Sequence, residues 1–139
     1  MDWMHLFTSI EGRISRQPFW IALLCLSVPE LVAHLTLGER WSSIVSLLIA
    51  YPEFAVFAKR GHDRNRPTWM VTTFFALIVL IVLMQLTGLD MQAGQPTAAF
   101  LAVGAVFLIA AIVVFIDFAL LRGTGGPNAF GEDPLEGNA

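Results

Sequence analysis

Four apolar runs, each about twenty residues long, occupy most of this 139-residue chain, and each can cross the hydrocarbon core of a bilayer as a helix. They cover about 18–37, 41–58, 67–86 and 97–121. Hydrophobic residues make up 56% of the chain and charged residues 14%. A water-soluble domain of this length carries more charge and interrupts its apolar runs more often. The spans leave no room for a separate soluble domain. The expected fold is all-α: a polytopic membrane protein over residues 1–139, built as a four-helix transmembrane bundle. A short interfacial segment precedes it and a tail, 122–139, follows.

The basic residues orient these runs. Arg13 and Arg16 precede the first, Lys59, Arg60, Arg64 and Arg66 separate the second from the third, and Arg122 closes the fourth. Seven of the eight basic residues thus share one membrane side, and only Arg40 falls on the other. This asymmetry predicts both termini in the cytoplasm. The net charge of -3 and the local clustering of the basic residues argue against nucleic-acid binding.

Residues 1–17 do not read as a cleaved leader: Asp2 and Glu11 are acidic, Arg13 comes late, and the first run is long enough to stay in the membrane. Trp3, Leu6, Phe7 and Ile10 recur at helical spacing, which predicts a segment lying in the headgroup zone. Gly12 breaks it, Ser15 suits a helix cap, and Pro18 suits the first turn of the span that follows. Pro29 and Pro52 fall inside the first two spans, where a lost backbone bond predicts a bend or an interruption. Trp41 marks an interface. The segment from Thr87 to Pro96 has no basic residue and reads as an external loop.

Residues 59–66 hold the densest charge. Keeping positive charge inside and attracting it to anionic lipid would account for the basic residues. It does not account for His62 and Asp63, which open two further readings: Asp63 as a clamp accepting arginine hydrogen bonds, or a substrate or phosphate site. Asp117 lies in the fourth run, where a carboxylate needs a partner or a route to the interface. The predicted partner is Arg60, at the cytoplasmic rim, with Arg16 the alternative. Glu30 and His34 are four apart on one helical face and predict a mutual hydrogen bond or, less simply, a proton path; Glu53 could join them. The tail's Gly-Thr-Gly-Gly-Pro-Asn run, 123–128, lacks the Lys-Ser/Thr of a phosphate loop and reads as a folded turn, with Phe130 dipping back to the interface. Cys25, the sole cysteine, reads as a small hydrophobe. The histidines are scattered, so no metal site is predicted, and no serine sits in a nucleophile elbow. No cofactor is implied.

Three ordered motifs carry a resemblance. Residues 12–20 read Gly-Arg-Ile-Ser-Arg-Gln-Pro-Phe-Trp, residues 59–69 centre on Arg60-Gly61-His62-Asp63 with Trp69 at the next span, and residues 117–134 run from Asp117 through Gly123-Thr124, Asn128, Phe130-Gly131 and Asp133-Pro134. Together they resemble the bacterial membrane proteins grouped as domain of unknown function 805. Gly61 stands where that family often has Leu, and Asp117 where Glu is common. The resemblance implies an inner-membrane protein of about four spans. It also implies one cytoplasmic feature formed by Arg13, Arg16, Arg60, His62, Asp63, Asn128, Gly131 and Asp133. It supplies no reaction.

The preferred functional reading is a non-enzymatic membrane protein whose basic rim contacts anionic lipid headgroups or a protein partner, with a homo-oligomer as one form of partner. One alternative is a small membrane enzyme or carrier for a phosphorylated or lipid substrate, with His62 and Asp63 at the chemistry and Arg13, Arg16 and Arg60 as phosphate clamps. Another is a transporter subunit or regulator, with Glu30 and His34 facing a channel.

Overall fold

The computed structural model describes residues 3–136; Asp2 and the last three residues of the expected tail lie outside them. The elements in chain order are α1 (Trp3–Thr8), α2 (Arg16–Thr36), α3 (Glu39–Asp63), α4 (Thr68–Thr87), a small hairpin of β1 (Met91–Gln92) and β2 (Gln95–Pro96), and α5 (Ala98–Val114). The last helix continues as a π-helical turn, Phe115–Leu120. The fold is all-α, and four helices, Arg16–Thr36, Arg40–Asp63, Thr68–Thr87 and Ala98–Leu120, are long and apolar enough to cross a membrane.

The protein core lies at one end of the bundle. Phe19 and Ala22 open α2, Val56 lies near the end of α3, Val71 and Phe75 open α4, and Phe118 and Ala119 close the last helix. These positions converge where the seven basic residues lie. Phe57 ties the cluster together, with its ring 5.3 Å from Phe19, 5.6 Å from Phe75 and 6.3 Å from Phe118. The helices are far more open away from this end: α5 buries none of its own residues. A surface this apolar suits hydrocarbon as its solvent, where burial against protein brings no hydrophobic gain.

α1 docks onto α3. Leu6 joins the core at 2% exposure. The Lys59 ammonium donates to the carbonyls of His5 and Leu6, and the Tyr51 hydroxyl donates to Thr8 O at 2.7 Å. The last carbonyls of so short a helix have few backbone donors, only His5 O among these accepting one, from Ser9 N at 3.2 Å, and side chains of α3 supply the others. Gly12, at φ +90°, turns the chain between this arm and α2.

The end of α3 differs from the hydropathy reading. α3 does not stop at residue 58 but carries Lys59 to Asp63 as helix. The apolar run ends there, yet the backbone stays helical because the α1 arm and the tail surround its charged side chains. Pro29 and Pro52 lie inside continuous helices. Each removes one backbone donor, which a long helix tolerates without ending. The loop between α4 and α5 forms a hairpin, with Met91 paired to Pro96.

Candidate functional site

The densest polar structure lies where the ends of α3 and of the last helix meet the segments before α2 and after the π turn. Asp63, the last residue of α3, is its centre. Its Oδ1 accepts from Arg13 Nε at 3.2 Å and Nη2 at 3.0 Å, and its Oδ2 accepts from Arg60 Nη1. Arg13, Arg60 and Asp63 have side chains 1%, 0% and 4% exposed. Two guanidinium groups on one carboxylate leave a buried positive charge. Backbone carbonyls answer it: Arg13 also donates to Thr124 O at 2.7 Å, Gly126 O at 2.8 Å and Gly131 O at 3.1 Å.

Arg60 serves a second purpose. Its Nε donates to Phe118 O at 2.7 Å and its Nη2 to Leu121 O at 2.6 Å. Arg16 Nη1 donates to Leu120 O at 3.3 Å, and Arg64 Nη1 donates to Arg122 O. The end of the last helix, whose carbonyls lack intrahelical donors, is thereby capped by arginines from three other segments. Cations at a helix C-terminus also meet the negative end of its dipole.

The predicted Asp117–Arg60 contact does not form. Asp117 Oδ1 accepts from Arg64 Nη2 at 2.9 Å and its Oδ2 accepts from Arg66 Nε at 2.8 Å. Arg60 is held by Asp63 one turn away and by carbonyls of the last helix, so it reaches that helix's backbone and not its carboxylate. Asn65, at φ +55°, takes the left-handed turn between the two arginines that hold Asp117. The carboxylate beside Arg66 raises that guanidinium's already high pKa.

The tail closes over His62 and Asp63. Thr124 N donates to Asp63 O at 2.8 Å, and Asn128 Nδ2 donates to His62 O at 2.9 Å and to Thr124 Oγ1 at 2.8 Å. Asn128 and Gly131 exchange backbone hydrogen bonds of 3.0 and 3.2 Å, and Phe130 N donates to Asn128 Oδ1 at 2.8 Å. That turn places Phe130 flat on the His62 ring, with centroids 4.0 Å apart and planes 2° from parallel. Phe130 therefore covers one face of the His62 ring. The His62 Nδ1 faces Gly12 O at 3.1 Å and its Nε2 faces Thr68 Oγ1 at 2.8 Å. A carbonyl can only accept, so Nδ1 carries the proton. Asp133 receives Leu135 N at 2.9 Å and Gly126 N at 3.0 Å, which hold its carboxyl below the usual aspartate range.

Of the residues expected in one feature, Arg13, Arg60, His62, Asp63, Asn128 and Gly131 form a single bonded lattice. Asp133 braces the tail, and among the described residues Arg16 reaches only Leu120 O. Asp117 belongs to a neighbouring ion pair. The participation of Arg64, Arg66, Thr68 and Thr124 was missed, although the Gly123-Thr124 pair in the tail was a usable signal. Glu30 accepts from Ser46 Oγ at 2.7 Å, so it is tied to α3 and not to His34. Among the described residues, no group of His, Cys, Asp and Glu could hold a metal ion.

Arg16, Arg60 and Arg122 line a cavity of about 410 Å³ with Asp63, Asp133 and the backbone of Gly123–Gly125. Arg16 and Arg122 are exposed, and among the described residues neither forms an ion pair. His62 does not line this cavity.

A family model described as "Protein of unknown function (DUF805)" matches residues 7–132, from the α1 arm into the tail. No curated protein and no solved structure matches the chain.

Proposed function

We propose that this chain, which belongs to the DUF805 family of proteins of unknown function, is a non-enzymatic membrane protein whose arginine rim holds anionic lipid headgroups. The rim faces the cytoplasm of a bacterial inner membrane, by the asymmetry of its basic residues. The observation that carries this reading is the pairing pattern. Asp63 engages Arg13 and Arg60, Asp117 engages Arg64 and Arg66, and Arg16 and Arg122 are left at the mouth of an open cavity. Two guanidinium groups beside a bilayer attract phosphate, by charge and by the fit of their planar donors.

The engagement of His62 counts against the enzyme alternative. That alternative asks His62 to exchange protons with a ligand, yet both ring nitrogens are engaged and Phe130 covers one ring face. The test is purification with native lipid retained, followed by mass measurement of the intact protein. Phosphatidylglycerol should remain bound in preference to phosphatidylcholine, and the double variant Arg16→Gln/Arg122→Gln should lose that preference. Equal retention of both lipids by the unaltered protein would refute the reading.

A further inference from the structure

Below the arginine cavity, on the same seam between α2 and the last helix, lies a second and apolar one of about 220 Å³. Phe19, Trp20 and Leu23 form one wall; Ala111, Phe115 and Ala119 lie on the other. Phe57, Phe74 and Val114 complete the lining. The Trp20 and Phe115 rings stand edge to face, 6.2 Å apart, and are 39% and 51% exposed.

The two cavities have no lining residue in common, but the same two segments contribute to both in a set order. On α2, Arg16, Phe19, Trp20 and Leu23 follow the i, i+3, i+4, i+7 spacing that puts side chains on one helical face. On the last helix, Ala111, Phe115 and Ala119 line the groove, and Arg122 follows just beyond the helix end at Leu120. The helices run in opposite directions, so both stripes place their arginine at the same end. From Arg16 to Leu23 the rise is roughly 10 Å, about a third of the hydrocarbon core.

We infer that this seam is a binding site for one anionic phospholipid, its phosphate between Arg16 and Arg122 and the headgroup-proximal part of one acyl chain in the aromatic groove. The inference rests on the headgroup reading above and adds a stoichiometry, a chain and a place. Charge complementarity selects the occupant. The groove lies among spanning segments, so hydrocarbon surrounds it. The two arginines at its end have no carboxylate partner among the described residues, and a lipid phosphate supplies one. Trp20 is suited to the boundary, since tryptophan favours the headgroup level. A second protein copy would cover the groove but leave both guanidinium groups without an anion.

The experiment uses the full chain in phosphatidylcholine nanodiscs with phosphatidylglycerol carrying a diazirine near the carboxyl end of one acyl chain. Crosslinking should saturate at one lipid per protein, on peptides containing Trp20 or Phe115. The matching phosphatidylcholine probe should give about tenfold less product, the ratio expected for one charge-assisted contact. Ala111→Phe, which fills the groove, should remove this crosslink while mass measurement still finds phosphatidylglycerol preferred over phosphatidylcholine. Crosslinks spread evenly over the exposed face of α5, equal labelling by the two probes, or a protein–protein product at Trp20 would overturn the groove. If in those cases phosphatidylglycerol is still preferentially retained, the headgroup reading survives alone. Loss of that preference in the unaltered protein would remove both. The probe measurement on the unaltered protein decides the matter even if Ala111→Phe does not fold.

Discussion

The Asp63 carboxylate fills the space that a side chain at residue 123 would need. A Cβ built on Gly123 falls 2.0 Å from Asp63 Oδ2. The chain leaves the last helix at this point and must pass directly over the carboxylate that holds Arg13 and Arg60. Gly123→Ala should therefore displace the buried ion cluster and destabilise the protein by about 3 kcal/mol or more. Gly125→Ala is the control, because a Cβ there meets nothing within 4 Å. Thermal unfolding in detergent should separate the two variants clearly; equal midpoints would contradict the close approach.

Removing the carboxylate at the centre should be as costly. Asp63→Asn leaves two guanidinium groups, both at most 1% exposed, without their anion. Breaking one side of a buried ion cluster typically costs about 3–5 kcal/mol. Arg60→Lys should also be poorly tolerated, since one ammonium cannot reach Asp63, Phe118 O and Leu121 O together. The level of folded protein in membranes and its unfolding midpoint measure both effects. Full stability of Asp63→Asn would mean that the cluster contributes little to the fold.

Asp117 should behave differently. Its partners Arg64 and Arg66 have side chains 20% and 45% exposed, and ion pairs in such settings contribute about 1 kcal/mol or less. Double-mutant cycles should find stronger coupling between Asp117→Asn and Arg64→Gln than between Asp117→Asn and Arg60→Gln, whose groups act on each other only through space. Stronger coupling to Arg60 would restore the pairing expected from the sequence.

Acid should loosen the tail late. Backbone N–H groups of Leu135 and Gly126 depress the Asp133 pKa below its ordinary 3.8. A depressed carboxylate stabilises the folded form at pH values above its ordinary pKa, and that contribution is lost as pH falls through the lower folded value. Hydrogen-exchange protection of the Leu135 and Gly126 amides should hold down to 3.8 and decline only beneath it. Asp133→Ala should remove protection at every pH. Protection lost already near pH 5, about one unit above the ordinary aspartate pKa, would show that Asp133 does not brace the turn.

Much of the rim was legible in the linear chain. Arg13, Arg60, His62, Asp63 and Asn128 stand in three separated motifs, and they do meet. Charged residues beside apolar runs have few places to go, so their common end of the bundle follows from composition. The partner choices were not legible. Arg64 and Arg66 look like ordinary loop charges until the left-handed Asn65 turn sets them against Asp117. His62 looks like an exposed acid–base candidate until the Asn128–Gly131 turn lays Phe130 across it.

The linear chain dictated that four segments are helices long and apolar enough to span a membrane, because backbone polar groups in hydrocarbon must be satisfied within the segment. It also determined that the charges gather beside the helix ends, because a charge is costly at mid-bilayer. Packing of the helix ends set which arginine meets which carboxylate, which capped the last helix, and which two were left facing a cavity. Helix formation and charge placement depend on local solvation. Pairing within the rim depends on hydrogen-bond reach of about 3 Å, and that is set by how helix ends and turns meet.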